Sequence, residues 1–152
     1  MKIQLMSIAV ALAFASGVAQ AQNTTARQVK NADEDRIEAE YKAAKAKCDT
    51  MKDNAKDICQ KEAKGKEKIA KAELDAKTNP TPANQRKVQE AKADAAYDVA
   101  KERCDDMKGN EKDACQKQAK ASHERAKADI KRADSKATGT SAGTGSTSKT
   151  SK

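Results

Sequence analysis

At 152 residues the chain has room for one domain at most. Charged residues make up 36% of it, aromatic residues 2%, and tryptophan is absent, which excludes the deep apolar interior in which an enzyme pocket is usually set. Lys and Arg number 31 against 23 Asp and Glu, giving a formal net charge of +8 that favours acidic partners.

The first 21 residues have the make-up of an export signal. Met1 and Lys2 give a positive start, Ile3 to Val18 form an apolar run, and Ala19-Gln20-Ala21 supplies a small-x-small cleavage pattern. Cleavage near Ala21 places the mature chain, beginning at Gln22, in the periplasm or outside the cell. The first cysteine is Cys48, so no lipid anchor is expected, and no later segment offers the about 20 apolar residues of a membrane span. The remaining 131 residues hold one Leu, four Ile, three Val, two Met and two Tyr as large apolar side chains. So few cannot offset the entropy of ordering the backbone, which leaves disorder or helices held by local hydrogen bonds, narrow seams and covalent ties.

An internal repeat organises the middle of the chain. Tyr41 to Lys77 aligns without a gap on Tyr97 to Ala133 at an offset of 56, with 18 of 37 positions identical. Shared Ala and Lys follow from composition, but the matched Tyr41/Tyr97, Cys48/Cys104, Met51/Met107, Asn54/Asn110 and Cys59/Cys115 belong to rare types. Ala, Lys, Glu, Gln and Arg make each unit helical. Six i,i+4 acid-to-base pairs support this: Glu38/Lys42, Asp57/Lys61, Glu62/Lys66, Glu67/Lys71, Glu73/Lys77 and Asp113/Lys117. One face reads Ile37, Tyr41, Ala44, Cys48, Met51, and its counterpart reads Ala93, Tyr97, Ala100, Cys104, Met107, the spacing of a helical seam.

Between the cysteines the chain is expected to turn. Gly109 suits a left-handed C′ residue, and Asn110-Glu111-Lys112-Asp113 resembles a capping box; repeat one has Asp53 and Asn54 there, a weaker signal. Reversal at Asn54 and Asn110 sets Cys48 opposite Cys59 and Cys104 opposite Cys115. An unbroken helix would instead hold each pair about 16.5 Å apart, beyond the roughly 7 Å reach of a disulfide. Four cysteines in two equal pairs of an exported chain point to disulfides Cys48–Cys59 and Cys104–Cys115. The same mirror arithmetic sets Ala44 against Ala63 and Ala100 against Ala119.

The predicted architecture is all-α: two disulfide-stapled antiparallel hairpins, four helices in all, with a disordered Ser/Thr/Gly-rich tail. Helices are expected from about Arg27 to Lys52, Ala55 to Lys77, Ala83 to Lys108 and Glu111 to Ser135. The divisions are 1–21 signal, 22–77 first hairpin, 78–82 Pro-containing linker, 83–135 second hairpin and 136–152 tail. Ile69, Leu74, Val88, Val99 and Ile130 are the apolar residues left for any contact between hairpins.

Catalytic, metal and cofactor sites are not expected. The single histidine, His123, reads as a solvated surface residue, and Asp105 and Asp106 read as helix-surface charges without an apolar pocket to shift them. No phosphate loop, serine elbow or zincin motif is present. Zinc ligands come in closer pairs than ten intervening residues. With no nucleic-acid motif, sequence-specific base reading is excluded, and no Trp, Phe or Leu row serves for insertion into a bilayer.

The unit from Cys48 to Cys59, Cys-Asp-Thr-Met-Lys-Asp-Asn-Ala-Lys-Asp-Ile-Cys, and the Lys-rich run after it resemble small Ala/Lys-rich exported proteins of Gram-negative bacteria with a duplicated Cys-x10-Cys unit. Those are mostly uncharacterised, and some are labelled cell envelope biogenesis protein TolA. The likeness covers about Asp35 to Ala133; likeness to the TolA stalk itself is one of composition. The expected role is a non-enzymatic periplasmic structural or interaction protein whose partners are anionic envelope polymers or lipids, or an envelope protein. The alternative is a periplasmic protein that handles a metal or small ligand through its cysteines.

Overall fold

The computed structural model describes residues 18–140, and the side chains of residues 27–136. The export-signal reading falls largely on residues 1–17 and the tail reading on residues 141–152, both outside the described residues. Four helices follow one another: α1 Val18–Cys48, α2 Asp53–Thr78, α3 Pro82–Cys104 and α4 Gly109–Thr140. The fold is all-α, as the composition leads one to expect. Residues 136–140, expected to begin the tail, continue α4, and residues 18–21 belong to α1.

Two disulfides close two antiparallel hairpins. Cys48 and Cys59 have Cα atoms 5.4 Å apart, and Cys104 and Cys115 5.6 Å apart, within bridging range. The reversals lie earlier than expected. Helices α1 and α3 stop at Cys48 and Cys104 rather than at Lys52 and Lys108, and the turns occupy residues 49–52 and 105–108. Asn54 and Asn110 are therefore already inside the first turns of α2 and α4. Gly109 does not end a helix; with φ 55° it starts α4, and its counterpart Asp53 takes the same left-handed backbone at φ 51°. The bridges explain the early stop, because a cysteine at the end of one helix and another seven residues into the next can meet only across a four-residue turn.

Each turn is stitched by the same set of bonds. The Met51 amide donates to the Cys48 carbonyl at 3.0 Å and the Met107 amide to the Cys104 carbonyl at 3.1 Å. Asp49 accepts from Gln60 at 3.2 Å and pairs with Lys56 at 3.3 Å; Asp105 accepts from Gln116 at 3.3 Å and pairs with Lys112 at 2.8 Å. These partners are identical in both repeats, which accounts for their retention. Asp105 is thus a turn residue tied across the reversal, not a helix-surface charge, and the Lys112 ammonium holds its carboxyl below the usual carboxylate range.

The short connection between the hairpins is built by local chemistry. The Thr81 hydroxyl accepts from the Asn84 amide at 3.2 Å as an N-cap, and Pro82 opens α3, where its missing N–H costs nothing. The linker therefore spans residues 79–81, since Thr78 and Pro82 are helical.

The hairpins pack together through α2 and α3. Contacts run α1 to α2, α2 to α3 and α3 to α4; α1 and α4 do not meet among the described residues, so the helices form a row instead of a closed bundle. Ion pairs Lys61–Glu102, Arg103–Glu62, Lys68–Asp98 and Lys92–Glu73 set the antiparallel register of the central pair. Gly65 and Ala95 bring the two backbones together: a Cβ added at Gly65 would lie 2.7 Å from the Ala95 Cβ. Val88 and Ala95 are buried on α3, while Ile69 and Val99 line a groove beside them. Asn54 also crosses the interface, donating from Nδ2 to the Glu102 carbonyl at 2.8 Å.

Candidate functional site

The four predicted bridging residues meet as two pairs, and Cys48 and Cys104 are the most deeply buried side chains, at 1% and 0% exposure. No free cysteine is present among the described residues. A role for the cysteines as ligands has no thiolate to use while both bridges stand.

The predicted seams divide alike in both hairpins except at their first position. Ile37 and Cys48 are buried, Tyr41 and Ala44 partly so; Ala93, Tyr97 and Ala100 are partly buried and Cys104 fully. The two methionines leave the seam. Met51 and Met107 are 44% and 42% exposed, because helix periodicity ends at each preceding cysteine and the turn swings them out.

Where hairpin one has Ile37, hairpin two has Ala93, which fills less of the space between its helices. A groove of about 390 Å3 runs there, lined by Ala93, Ala96, Ala100, Ala119 and Ala126 with Tyr97, Gln118, Ser122 and His123. His123 is not solvated as expected. Its side chain is 17% exposed, its ring stacks on Tyr97 with centroids 4.7 Å apart, and Nε2 lies 2.6 Å from Asp94 Oδ1. An ionised carboxylate only accepts, so in this pairing the imidazole carries a proton on Nε2. The repeat-equivalent residue, Glu67, is also buried, accepting 2.7 Å hydrogen bonds from both Lys64 and Lys71, which hold its carboxyl below the usual range. Lys64 at the same time lies 5.0 Å from the Tyr41 ring centre. Both hairpins thus place a polar residue against the seam tyrosine, Lys64 by a cation–π contact in one and His123 by ring stacking in the other.

The second difference between the repeats is electrostatic. On α2, Lys61, Lys64, Lys68 and Lys71 share one arc of the helix, and each is paired with a carboxylate, of Glu102, Glu67, Asp98 and Glu67 respectively. The corresponding arc of α4 carries Lys117, Lys120, Glu124 and Lys127, continued by Lys131, all exposed. Lys120 reaches Glu124 at 3.9 Å, while Lys117, Lys127 and Lys131 form no ion pair among the described residues. Among the described residues no further helix packs beyond α4 to neutralise them. Lys101 joins this basic face across a shallow cleft that also contains Tyr97, Lys117 and Lys120.

No family model matches the chain, and neither a curated protein nor a solved structure matches it. Among the described residues no cluster of three or more His, Cys, Asp or Glu side chains could hold a metal ion, and no helix is long and apolar enough to cross a membrane. The lysine row and the exposed methionines were missed in the sequence because the same Lys and Met types recur in both repeats. The α2 row is neutralised partly by Glu67, whose equivalent on α4 is His123, and partly by Glu102 and Asp98 of the packed helix α3.

Proposed function

We propose that the chain is an exported, non-enzymatic protein of the periplasm that binds anionic components of the cell envelope through α4. The observation that carries this reading is the contrast between two equivalent arcs, that of α2 with all four lysines paired to carboxylates and that of α4 with Lys117, Lys127 and Lys131 left without an ion pair among the described residues. Export is supported by the leader-like start at Met1 to Ala21 and by two disulfides, which persist in oxidising compartments. The repeat with its Cys-x10-Cys unit resembles that of small Ala/Lys-rich exported proteins, and this agrees with an envelope location.

Several open lysines acting together on a lipid or polymer surface each contribute on the order of 1 kcal/mol. Such binding is screened by salt. Co-sedimentation of the oxidised mature chain with phosphatidylglycerol-containing vesicles and with purified cell wall, at low and high salt, tests it. Binding at low salt, its loss at high salt, and a clear drop for a variant combining Lys117→Glu, Lys127→Glu and Lys131→Glu are expected. Equal recovery on neutral vesicles, or no change on charge reversal, refutes the proposal. Recovery of the leader-bearing precursor without cleavage in a fractionated cell refutes the export part separately.

A further inference from the structure

Most residues retained at the two turns have a structural task. Cys48/Cys104 and Cys59/Cys115 form the bridges; Asp49/Asp105, Lys56/Lys112 and Gln60/Gln116 tie the turn across itself. Lysine is frequent enough to recur at Lys52 and Lys108 without any such task. Methionine is not: between Gln22 and Lys152 it occurs twice, at equivalent positions of the two repeats. Both side chains are exposed, at 44% and 42%, and no packing of the row requires them. Both stand at the same end of the row, since the two disulfide turns point the same way and Asn54 links the first turn to the end of α3. The chain has no tryptophan, and no free cysteine is present among the described residues, so these two thioethers are the readiest two-electron donors to a peroxide.

We propose that Met51 and Met107 are a matched pair of reversible oxidation sites that take oxygen from hydrogen peroxide or a related peroxide oxidant. The sulfur gives two electrons to the nearer peroxide oxygen, the O–O bond breaks as the S–O bond forms, and the distal oxygen takes the proton released by the transferred one and leaves as water from hydrogen peroxide, or as the alcohol from an alkyl hydroperoxide. A buried methionine would become a polar sulfoxide inside a core and disrupt it. Here the residue is partly in solvent, at 44% and 42% exposure, on a turn whose backbone is bonded to a bridged cysteine, at 3.0 Å for Met51 and 3.1 Å for Met107. The fold therefore survives oxidation, and the sulfoxides stay within reach of methionine sulfoxide reductases.

The test is peroxide titration of the folded, disulfide-intact mature chain from Gln22 to Lys152, which lacks Met1 and Met6, followed by intact mass, peptide mapping and thermal melting. Two oxygens, a gain of about 32 Da, are expected at Met51 and Met107, at rates similar to each other and to those of the same sites in a denatured chain. Helix content and melting temperature should hold, and a mixture of the two stereospecific sulfoxide reductases should return the starting mass. A variant with Met51→Leu and Met107→Leu should gain no oxygen under the same exposure. Protection of either site by more than about tenfold relative to the denatured chain, melting of the helices on oxidation, irreversibility with both reductases, or oxygen uptake by the double variant would each overturn the assignment.

Discussion

Substituting alanine at Gly65 sets two effects against each other on one helix. Removing a glycine from a helix interior gains about 1 kcal/mol of intrinsic helix stability. The added Cβ, however, would lie 2.7 Å from the Ala95 Cβ where ordinary contacts are 3.4–4 Å, so α2 and α3 must part by nearly an ångström at their closest approach. Overpacking of this kind costs about 1–3 kcal/mol, so Gly65→Ala is expected to destabilise by up to about 2 kcal/mol net. Ala95→Gly alone loses about 1 kcal/mol in helix propensity. Together the two should fit: the Ala95 Cα is 3.5 Å from the added methyl, an ordinary contact, and the paired change exchanges one glycine for another. The double variant is therefore expected near wild-type stability, with a favourable coupling of about 1–3 kcal/mol. Urea and thermal denaturation of all four proteins by circular dichroism measure this, each kcal/mol shifting the melting temperature by about 4 °C. Strict additivity, or stabilisation by Gly65→Ala alone, would refute close packing of the hairpins at this point.

Opening either disulfide by a paired Cys→Ser change should cost about 2–3 kcal/mol through the freed loop in the unfolded chain, and the untreated oxidised protein should show no reactive thiol by maleimide labelling. Because Asp53 holds φ 51° with a side chain and Gly109 holds φ 55° without one, Gly109→Ala should destabilise by about 1 kcal/mol, while Asp53→Gly changes stability less than that; chemical denaturation distinguishes the two. Neighbouring cations lower the carboxyls of Asp33, Glu38, Glu67 and Asp105, so the unfolded chain takes up protons first on acidification. Their stabilisation is present above about pH 5 and is lost as the pH falls through the folded-state values. Lys30, Lys42, Lys61, Lys64 and Lys112 are raised by their carboxylate partners, so their share is present at neutral pH and lost only above the usual lysine range. Melting temperature should therefore be flat near neutrality and fall at both extremes, and a melting temperature unchanged at about pH 2.5 would contradict this.

The repeat made the hairpins, their bridges and the helical class legible, because the rare residue types could be matched and only one pairing treats both copies alike. Helix ends were harder to read. Lys52 and Lys108 are good helix formers, and only the geometry of bridging from Cys48 and Cys104 stops the helices four residues sooner. Local ion pairing misled in a related way. Of the six i,i+4 pairs expected, Glu38–Lys42 and Glu67–Lys71 form. Lys61, Glu62, Glu73 and Lys77 instead reach across to Glu102, Arg103, Lys92 and Asp33 on neighbouring helices, because packing brings those partners near. Gly65 carried no sequence signal, since a glycine in an Ala/Lys helix reads as a weak point until the facing Ala95 is known. The polar neighbours of His123 in the sequence suggest a solvated residue, but stacking on Tyr97 of α3 decides its setting.

The row of helices also limits its own growth. Along the central contact, α2 offers Gly65 and Ile69 and α3 offers Val88 and Val99; at the outer margins the equivalent positions are Ala121 and Arg125 on α4 and Ala32 and Ala43 on α1, all exposed. The cleft-forming glycine and the branched aliphatics are replaced there by short or charged side chains, so a further unit has little to grip. A tandem duplication that could in principle continue is ended on both flanks by four amino acids. A lengthened relative of this scaffold would need an inserted middle unit with two adhesive sides, not another terminal one.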